Sequence, residues 1–398
     1  MRIGMMADTY KPYISGITNY ISLNKRYLEK AGHEVYIFTF GNLDYQDEET
    51  RIIRSPGKAL TDTGFFLSYR YSREAKKLLQ TMDIAHVHHP FLSGLLALRY
   101  CRPHNIPIVF TNHTRYDLYA QAYMPLLPEM ISDSMLKAYM PTYCDAVDCV
   151  ISPSPGMAKI LRRLEVKSPI EVIPNGVELQ RFFEAKELSR AKFGFSPDDV
   201  LLVYTGRLAP EKNLDFLLES FDGVAETLEN VHLLLVGGGL SQEKLEEKAA
   251  NLDASDRIHF VGHVDYEQMP GYLHMCDAFV TASVSEVHPL SVIEAMGAGL
   301  PVLGIHSPGV GDTVEDGITG FLSTEHLAAF TAKMTRLCIQ TNLRNKMGAA
   351  AAKASTRYAM ERTTKMIIDI YEKIIKETPV HNKEHELSLR NIMERIFP

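Results

Sequence analysis

The sequence has no excess of positive charge, no paired cysteines and no long apolar run. Lysine and arginine number 42 against 49 aspartates and glutamates, a formal net charge of −7. That balance argues against a nucleic-acid partner, whose binding rests on neutralising phosphates. The five cysteines are odd in number and scattered, and no C-x-x-C pair occurs. They read as reduced thiols in a reducing compartment. No stretch reaches the ~18 apolar residues that a membrane-spanning helix needs. Met1–Ala7 reads as a first strand, with no apolar signal-peptide core behind a basic start. The expected location is therefore cytoplasmic. No low-complexity linker interrupts the chain, and the only recurrence is one pattern that runs twice.

What is present is the composition of a globular protein. The 398 residues are 45% hydrophobic and 23% charged, enough for a substantial core in each of two domains. In the first half, strand-like runs at Met1–Met6, Val35–Phe40, Ile84–Val87, Ile108–Asn112 and Cys149–Ser152 alternate with helical patterns such as Tyr20–Ala31. Beyond the turn Pro174–Gly176 the pattern restarts, with runs at Leu201–Thr205, Val231–Gly237, Arg257–Gly262, Ala278–Ala282 and Pro301–Gly304. Helical segments at Asn213–Val224 and Gln242–Asn251 lie between them. Alternation of this kind predicts an α/β protein with two parallel sheets, each covered on both faces. Open α/β sheets bind ligands outside the carboxyl ends of their strands, so two facing sheets place the expected site in an interdomain cleft. Met360–Glu377 reads as an amphipathic helix, ended by Pro379.

Four features point to a bound diphosphate. The loop Asp8–Tyr20 follows the first strand and opens the first helix. Gly16 there lets backbone approach an anion at a helix N-terminus, although an ordinary βα loop reads the same way. T205-G-R-L-A-P-E-K212 puts Arg207 and Lys212 just past a strand end, where an arginine fork and a lysine charge suit a diphosphate. Glu211 is a candidate partner for one of these cations, and a solvated loop is the plainer alternative. V236-G-G-G239 is a glycine run at another strand end. In S285-E-V-H-P-L-S-V-I-E294 a helix is expected to start near Pro289–Ser291, with its free N–H groups open to phosphate or sugar oxygens. Glu286 then lies on the preceding loop and Glu294 inside the helix. Glu294 stands among Val292, Ile293, Ala295 and Met296, where an unpaired carboxylate is costly. In the first half, His113 follows the strand Ile108–Phe110, and Asp117 is close in sequence. The group His86, His88 and His89 invites a metal reading, but no Asp, Glu or Cys cluster completes it, so no metal is expected.

Taken together, Gly16, G206-R-x-x-x-E-K212, the glycine run and E286-x7-E294 followed by Ala298-Gly299-Leu300-Pro301 resemble glycosyltransferase family 4. The resemblance spans nearly the whole chain. It implies a GT-B fold, with an acceptor-binding Rossmann-like domain at 1–173 joined by a returning helix at about 358–398, and a nucleotide-sugar domain at 174–357. It implies a retaining transferase that needs no cofactor beyond its nucleotide-sugar donor, a UDP-hexose. Gly16, Gly206, Arg207 and Lys212 would serve the diphosphate. Glu286 would hold the donor sugar and Glu294 the ribose, while backbone at His288, Pro289, Leu290 and Ser291 meets sugar and phosphate. Val261, Gly262 and Val264 would cradle the base, and His113 would stand beside the donor sugar. Catalysis would fall to His113, Arg207, Lys212 and Glu286. At Val287–His288 the sequence departs from the family's usual small residue followed by Phe or Cys, which bears on the identity of the sugar.

The acceptor is less marked. Arg54–Lys77 holds six basic against two acidic residues beside Phe65, Phe66 and Leu67. This suits an anionic membrane surface, or equally a helix with a solvated basic face. Tyr116–Met140 is rich in Tyr, Met and Leu and resembles the acceptor side of bacterial diacylglycerol glycosyltransferases. The leading expectation is transfer of glucose from UDP-glucose to a membrane lipid, with the enzyme peripheral on the inner face of the cell membrane. The alternatives are a soluble family member with a sugar acceptor, such as a mannosyltransferase using GDP-mannose, and a nucleotide-sugar epimerase. The motif combination speaks against the epimerase.

Overall fold

The computed structural model describes residues 1–60, 65–116, 118 and 129–378. These fall into two compact units, Met1–Asn175 with the segment from Met360 onward, and Gly176–Ala359.

The first unit is built on a seven-stranded sheet. Its strands in chain order are β1 (Arg2–Met6), β2 (Glu34–Phe40), β3 (Ile52–Ser55), β6 (Ile84–Val87), β7 (Ile108–Thr111), β8 (Cys149–Ser152) and β9 (Ile170–Val172). All neighbouring strands are parallel, in the order β3-β2-β1-β6-β7-β8-β9. A separate hairpin joins β4 (Lys58–Leu60) to β5 (Phe65–Leu67). On one face, Ile3, Met5, Val35 and Ile37 pack with Ile21 and Leu28 of the first helix and with Ile367, Tyr371 and Ile374 of the Met360–Glu377 helix. The Met360–Glu377 helix therefore completes the core of the first unit.

The second unit holds six parallel strands: β10 (Val200–Thr205), β11 (Val231–Val236), β12 (Ile258–Gly262), β13 (Ala278–Thr281), β14 (Val302–Ile305) and β15 (Gly320–Ser323). Their order is β12-β11-β10-β13-β14-β15. Every residue of β10 is buried, as expected of a central parallel strand covered on both faces. In each sheet the chain works outward on one side and then restarts on the other. The two switch points lie between β1 and β6 and between β10 and β13.

The structure amends several expectations. The first helix runs Gly16–Lys30, starting four residues earlier than the apolar periodicity suggested. Ser15 caps it: its hydroxyl accepts from the Thr18 amide at 3.2 Å, and Thr18 Oγ1 accepts from the Ser15 amide at 2.7 Å. This reciprocal cap satisfies two donors and fixes the start. The basic stretch Arg54–Lys77 is not one helix. It passes from β3 through the hairpin to a short helix, Arg73–Leu79. Pro56-Gly57 breaks the chain, and the Ser72 hydroxyl starts the helix by accepting from the Ala75 amide at 3.1 Å. The short strands β3, β9 and β15 carried no periodic signal of their own. Asp62, Asp117, most of Tyr116–Met130, Pro379 and the stretch 380–398 lie outside the described residues.

Candidate active site

The loops beyond β10 and β13 meet at the switch point of the second unit. Lys212 Nζ lies 2.5 Å from Glu286 Oε1, and Ser283 Oγ donates to the same oxygen at 2.9 Å. Burial raises the Glu286 carboxyl pKa, but Lys212, Ser283 and Arg207 more than offset this, so its pKa lies below the usual range. Glu286 is thus a fixed negative charge. Arg207 is 61% exposed and pairs with Glu211 at 2.7 Å, so Glu211 orients this cation. The Arg207 carbonyl accepts from the Tyr204 hydroxyl at 3.0 Å. Ser285 Oγ donates to the Glu211 carbonyl at 3.1 Å, a second tie between the two loops.

The glycines expected to matter hold these loops at backbone distance. Gly206 and Gly237 adopt φ of 149° and 140°, a region open to glycine and costly for other residues. A Cβ on Gly237 would fall 2.0 Å from the Gly206 carbonyl oxygen. The Gly237 amide donates to the Gly262 carbonyl at 2.9 Å, and the Leu208 amide to the Gly238 carbonyl at 3.0 Å. The ends of β10, β11 and β12 are therefore joined main chain to main chain. Val261 and Val264, flanking Gly262, are partly buried against the core of this unit.

The helix after Glu286 runs Leu290–Gly297, with Pro289 at its cap and no side-chain cap on its first amides. Those N–H groups, including Ser291, have no intrahelical partner and form an anion-accepting end. The His288 ring packs edge-on against Tyr358 at 4.9 Å. Burial, aided by Arg357, lowers its pKa to about 3, so it is a neutral ring. A residue the sequence did not flag, Gly309, sits under Glu286: its amide donates to the Glu286 carbonyl at 3.1 Å.

Glu294 has a different partner, Tyr266. It is 7% exposed and accepts from the Tyr266 hydroxyl at 2.8 Å. The Arg181 guanidinium lies over the Tyr266 ring, 5.4 Å from its centroid. Burial raises the Glu294 pKa to about 7, against smaller lowering effects of Tyr266 and Arg181. Between an unfolded value of 4.5 and about 7, the folded protein keeps a proton that the unfolded chain has lost. Unfolding free energy therefore falls as pH rises through this window, by roughly 3 kcal/mol in all. Glu294→Gln is expected to raise the thermal midpoint relative to the wild type at pH 8 and to change it little at pH 5. Equal shifts at both pH values would refute the assignment.

In the first unit, the switch point carries a histidine cluster. His113 Nε2 lies 3.0 Å from His88 Nδ1, and the two rings stack with centroids 5.3 Å apart. Tyr20 meets the His113 ring edge-on at 4.6 Å. His86 is held between the Tyr371 hydroxyl at 2.5 Å and the Thr111 hydroxyl at 2.6 Å. His89 Nδ1 accepts from the Asp8 amide at 3.2 Å. Each histidine thus has a hydrogen-bonding role within the fold. Among the described residues, no group of three or more His, Cys, Asp or Glu is placed to hold a metal ion. Gly16 opens its helix with nothing among the described residues within 4 Å of a notional Cβ.

A family model described as Glycosyltransferase Family 4 matches residues 14–181, and one described as Glycosyl transferases group 1 matches 185–354. An alpha-monoglucosyldiacylglycerol synthase of Streptococcus pneumoniae is 33% identical over 334 residues, covering 81% of this chain and 75% of its own. The chain belongs to glycosyltransferase family 4. A second alpha-monoglucosyldiacylglycerol synthase, from Acholeplasma laidlawii, is 29% identical over 80% of this chain and 84% of its own. The structure of Anabaena HepE in complex with UDP and glucose superposes with a TM-score of 0.76 at 16% identity, covering 94% of this chain and 100% of that one. Two Rossmann-like parallel-sheet domains are the GT-B architecture, and this family 4 chain has it.

Proposed function

We propose that this family 4 enzyme is a retaining glucosyltransferase that moves glucose from UDP-glucose to diacylglycerol, forming an α-glycoside. The observation that carries this reading is the 33% identity, over most of both chains, to a synthase named for that product. The UDP and glucose bound to HepE support the donor.

In this proposal Glu286 accepts hydroxyls of the donor sugar and Glu294 takes the ribose. Val261, Gly262 and Val264 border the base. Arg207, Lys212 and the amides at Leu290 and Ser291 receive the diphosphate charge that grows as the C1–O bond breaks, the role a divalent cation plays elsewhere. The acceptor hydroxyl attacks C1 from the face that the diphosphate leaves. A C1–O bond to the acceptor forms, the bond to the phosphate breaks, and the hydroxyl proton passes to the departing phosphate oxygen. Both glutamates act by binding, and neither takes this proton. His113 serves the sugar at the reacting centre, and the open space at Gly16 suits close approach of backbone to the diphosphate.

A membrane acceptor also fits the surface of the first unit. Tyr69 is 76% exposed, and Arg70, Arg73, Lys76 and Lys77 beside it are exposed. An aromatic among cations suits an anionic lipid surface. No helix among the described residues is long and apolar enough to cross a membrane. The test is a mass-spectrometric screen of UDP-glucose, UDP-galactose and GDP-mannose against vesicles with and without diacylglycerol. Hexosylated diacylglycerol formed from UDP-glucose is expected. Transfer only to water-soluble acceptors, or isomerised donor with no transfer, would sink the proposal.

A further inference from the structure

We infer that His88 is a positioning residue for His113: by donating its Nδ1–H to His113 Nε2, it fixes the His113 ring in the tautomer that carries its proton on Nδ1. The inference rests on the proposed role of His113 at the reacting sugar, and its structural part lies wholly within the first unit.

The partners of the ring nitrogens decide the tautomer. His88 is fully buried, and its Nε2 has no hydrogen-bond partner among the described residues. Its Nδ1 faces His113 Nε2 at 3.0 Å. A neutral imidazole has one N–H and one lone pair, so one of these two nitrogens carries the His88 proton. Burial disfavours the charged form of both rings, which removes the doubly protonated alternative. A buried N–H without an acceptor is rarer than an under-used acceptor. The proton therefore belongs on Nδ1, where it is donated, and the lone pair on Nε2. His113 Nε2 must then accept, which leaves the His113 proton on Nδ1.

The surrounding rings keep His88 from turning to the opposite arrangement. His86 lies against it with centroids 4.2 Å apart, and His86 is itself held at both ring nitrogens. Tyr20 abuts both His88 and His113 edge-on, at 5.8 and 4.6 Å. His113 thus keeps a hydrogen-bond donor at Nδ1, ready for a sugar or acceptor oxygen. A free histidine would divide its population between two tautomers, and only one of them could make that bond.

The test begins with the unaltered protein. Long-range 1H–15N spectra of histidine-labelled enzyme, with His113 assigned by comparison with His113→Gln, are expected to show its proton on Nδ1. His88→Phe keeps the stacked ring and removes the donor. It should mix the His113 tautomers and lower kcat roughly tenfold, the worth of about one hydrogen bond, with the donor KM unchanged. His88→Asn packs less well but can place an amide N–H near the old Nδ1, so it should recover most of kcat. A purely structural His88 would give the reverse order, with Phe better than Asn. That order overturns the inference, as does an Nε2 proton on His113 in the wild type. Undiminished turnover in His113→Gln would instead remove His113 from the reaction, and the tautomer measurement would still stand.

Discussion

Lys212→Ala is expected to lower turnover by about two to three orders of magnitude, the usual cost of removing one donor that meets developing charge. Lys212 has two functions in the proposed mechanism. It faces the departing diphosphate, and it holds Glu286 ionised through the 2.5 Å contact. Neither side chain is much exposed, at 16% and 22%. Removing the cation leaves a poorly hydrated carboxylate without its main partner, an arrangement that costs up to about 3–5 kcal/mol when the pair is fully buried. Burial would then raise the Glu286 pKa, unopposed by the lysine. The variant's loss of stability relative to the wild type should consequently be larger at neutral pH than at pH 5, where Glu286 can take up a proton. Ser283 and Arg207 still act on Glu286, so the second unit should remain folded. Steady-state kinetics with a circular-dichroism melt checks this. Wild-type turnover in a folded Lys212→Ala protein would remove the residue from the mechanism.

Gly309→Ala is the second large effect, and it comes from a residue with no chemistry of its own. A Cβ there would fall 2.4 Å from the Glu286 carbonyl oxygen and 2.7 Å from its carbonyl carbon. Backbone lies on the far side of the clash, so no side chain can turn away to relieve it. The methyl must push the Glu286 segment off the Pro308–Thr313 helix and break the Gly309–Glu286 hydrogen bond. Overpacking of this kind costs about 1–3 kcal/mol. A shift of about 1 Å at a catalytic group can cost roughly a hundredfold in rate. Activity is thus expected to fall at least tenfold, together with a lower melting temperature. Gly311→Ala serves as the control in the same helix, since its notional Cβ meets nothing nearer than the His306 ring at 3.5 Å. If the two variants behave alike, Gly309 does not position Glu286.

Most of the strands, though not their order in the sheets, could be read from the sequence because central parallel strands are short, continuous apolar runs. The Val200–Thr205 and Cys149–Ser152 strands are of this kind. Ile52–Ser55 and Gly320–Ser323 escaped notice because polar or glycine residues leave each only two adjacent apolar residues. The first helix was read late because its opening turn, G-I-T-N, is fixed by the Ser15–Thr18 cap rather than by apolar spacing.

In the second unit, Arg207, Lys212 and Glu286 stood out as candidates because they follow strand ends, and Glu294 because it is a carboxylate among apolar helix residues. Their supports did not. Ser283 follows its strand by two residues, so the strand-end rule could have flagged it. Gly309 lies in S-P-G-V-G, a helix start with a glycine at its second position, which hints at close packing without naming the neighbour. Tyr266 sits in a loop, D-Y-E-Q, that reads as solvated surface. Its bond to Glu294 spans 28 residues, and no local pattern encodes that. The histidines of H86-V-H-H89 drew attention as possible metal ligands, whereas the fold gives His86 and His88 to one sheet face and bonds them to Tyr371 and His113.

Transfer of glucose to diacylglycerol with retention is the proposed reaction. The most direct measurement is the proton NMR spectrum of the glycolipid made from UDP-glucose in diacylglycerol-containing vesicles. An α-anomeric glucosyl signal on diacylglycerol is the expected result. A β-anomer, or a product spectrum with no sugar attached to the lipid, would contradict it.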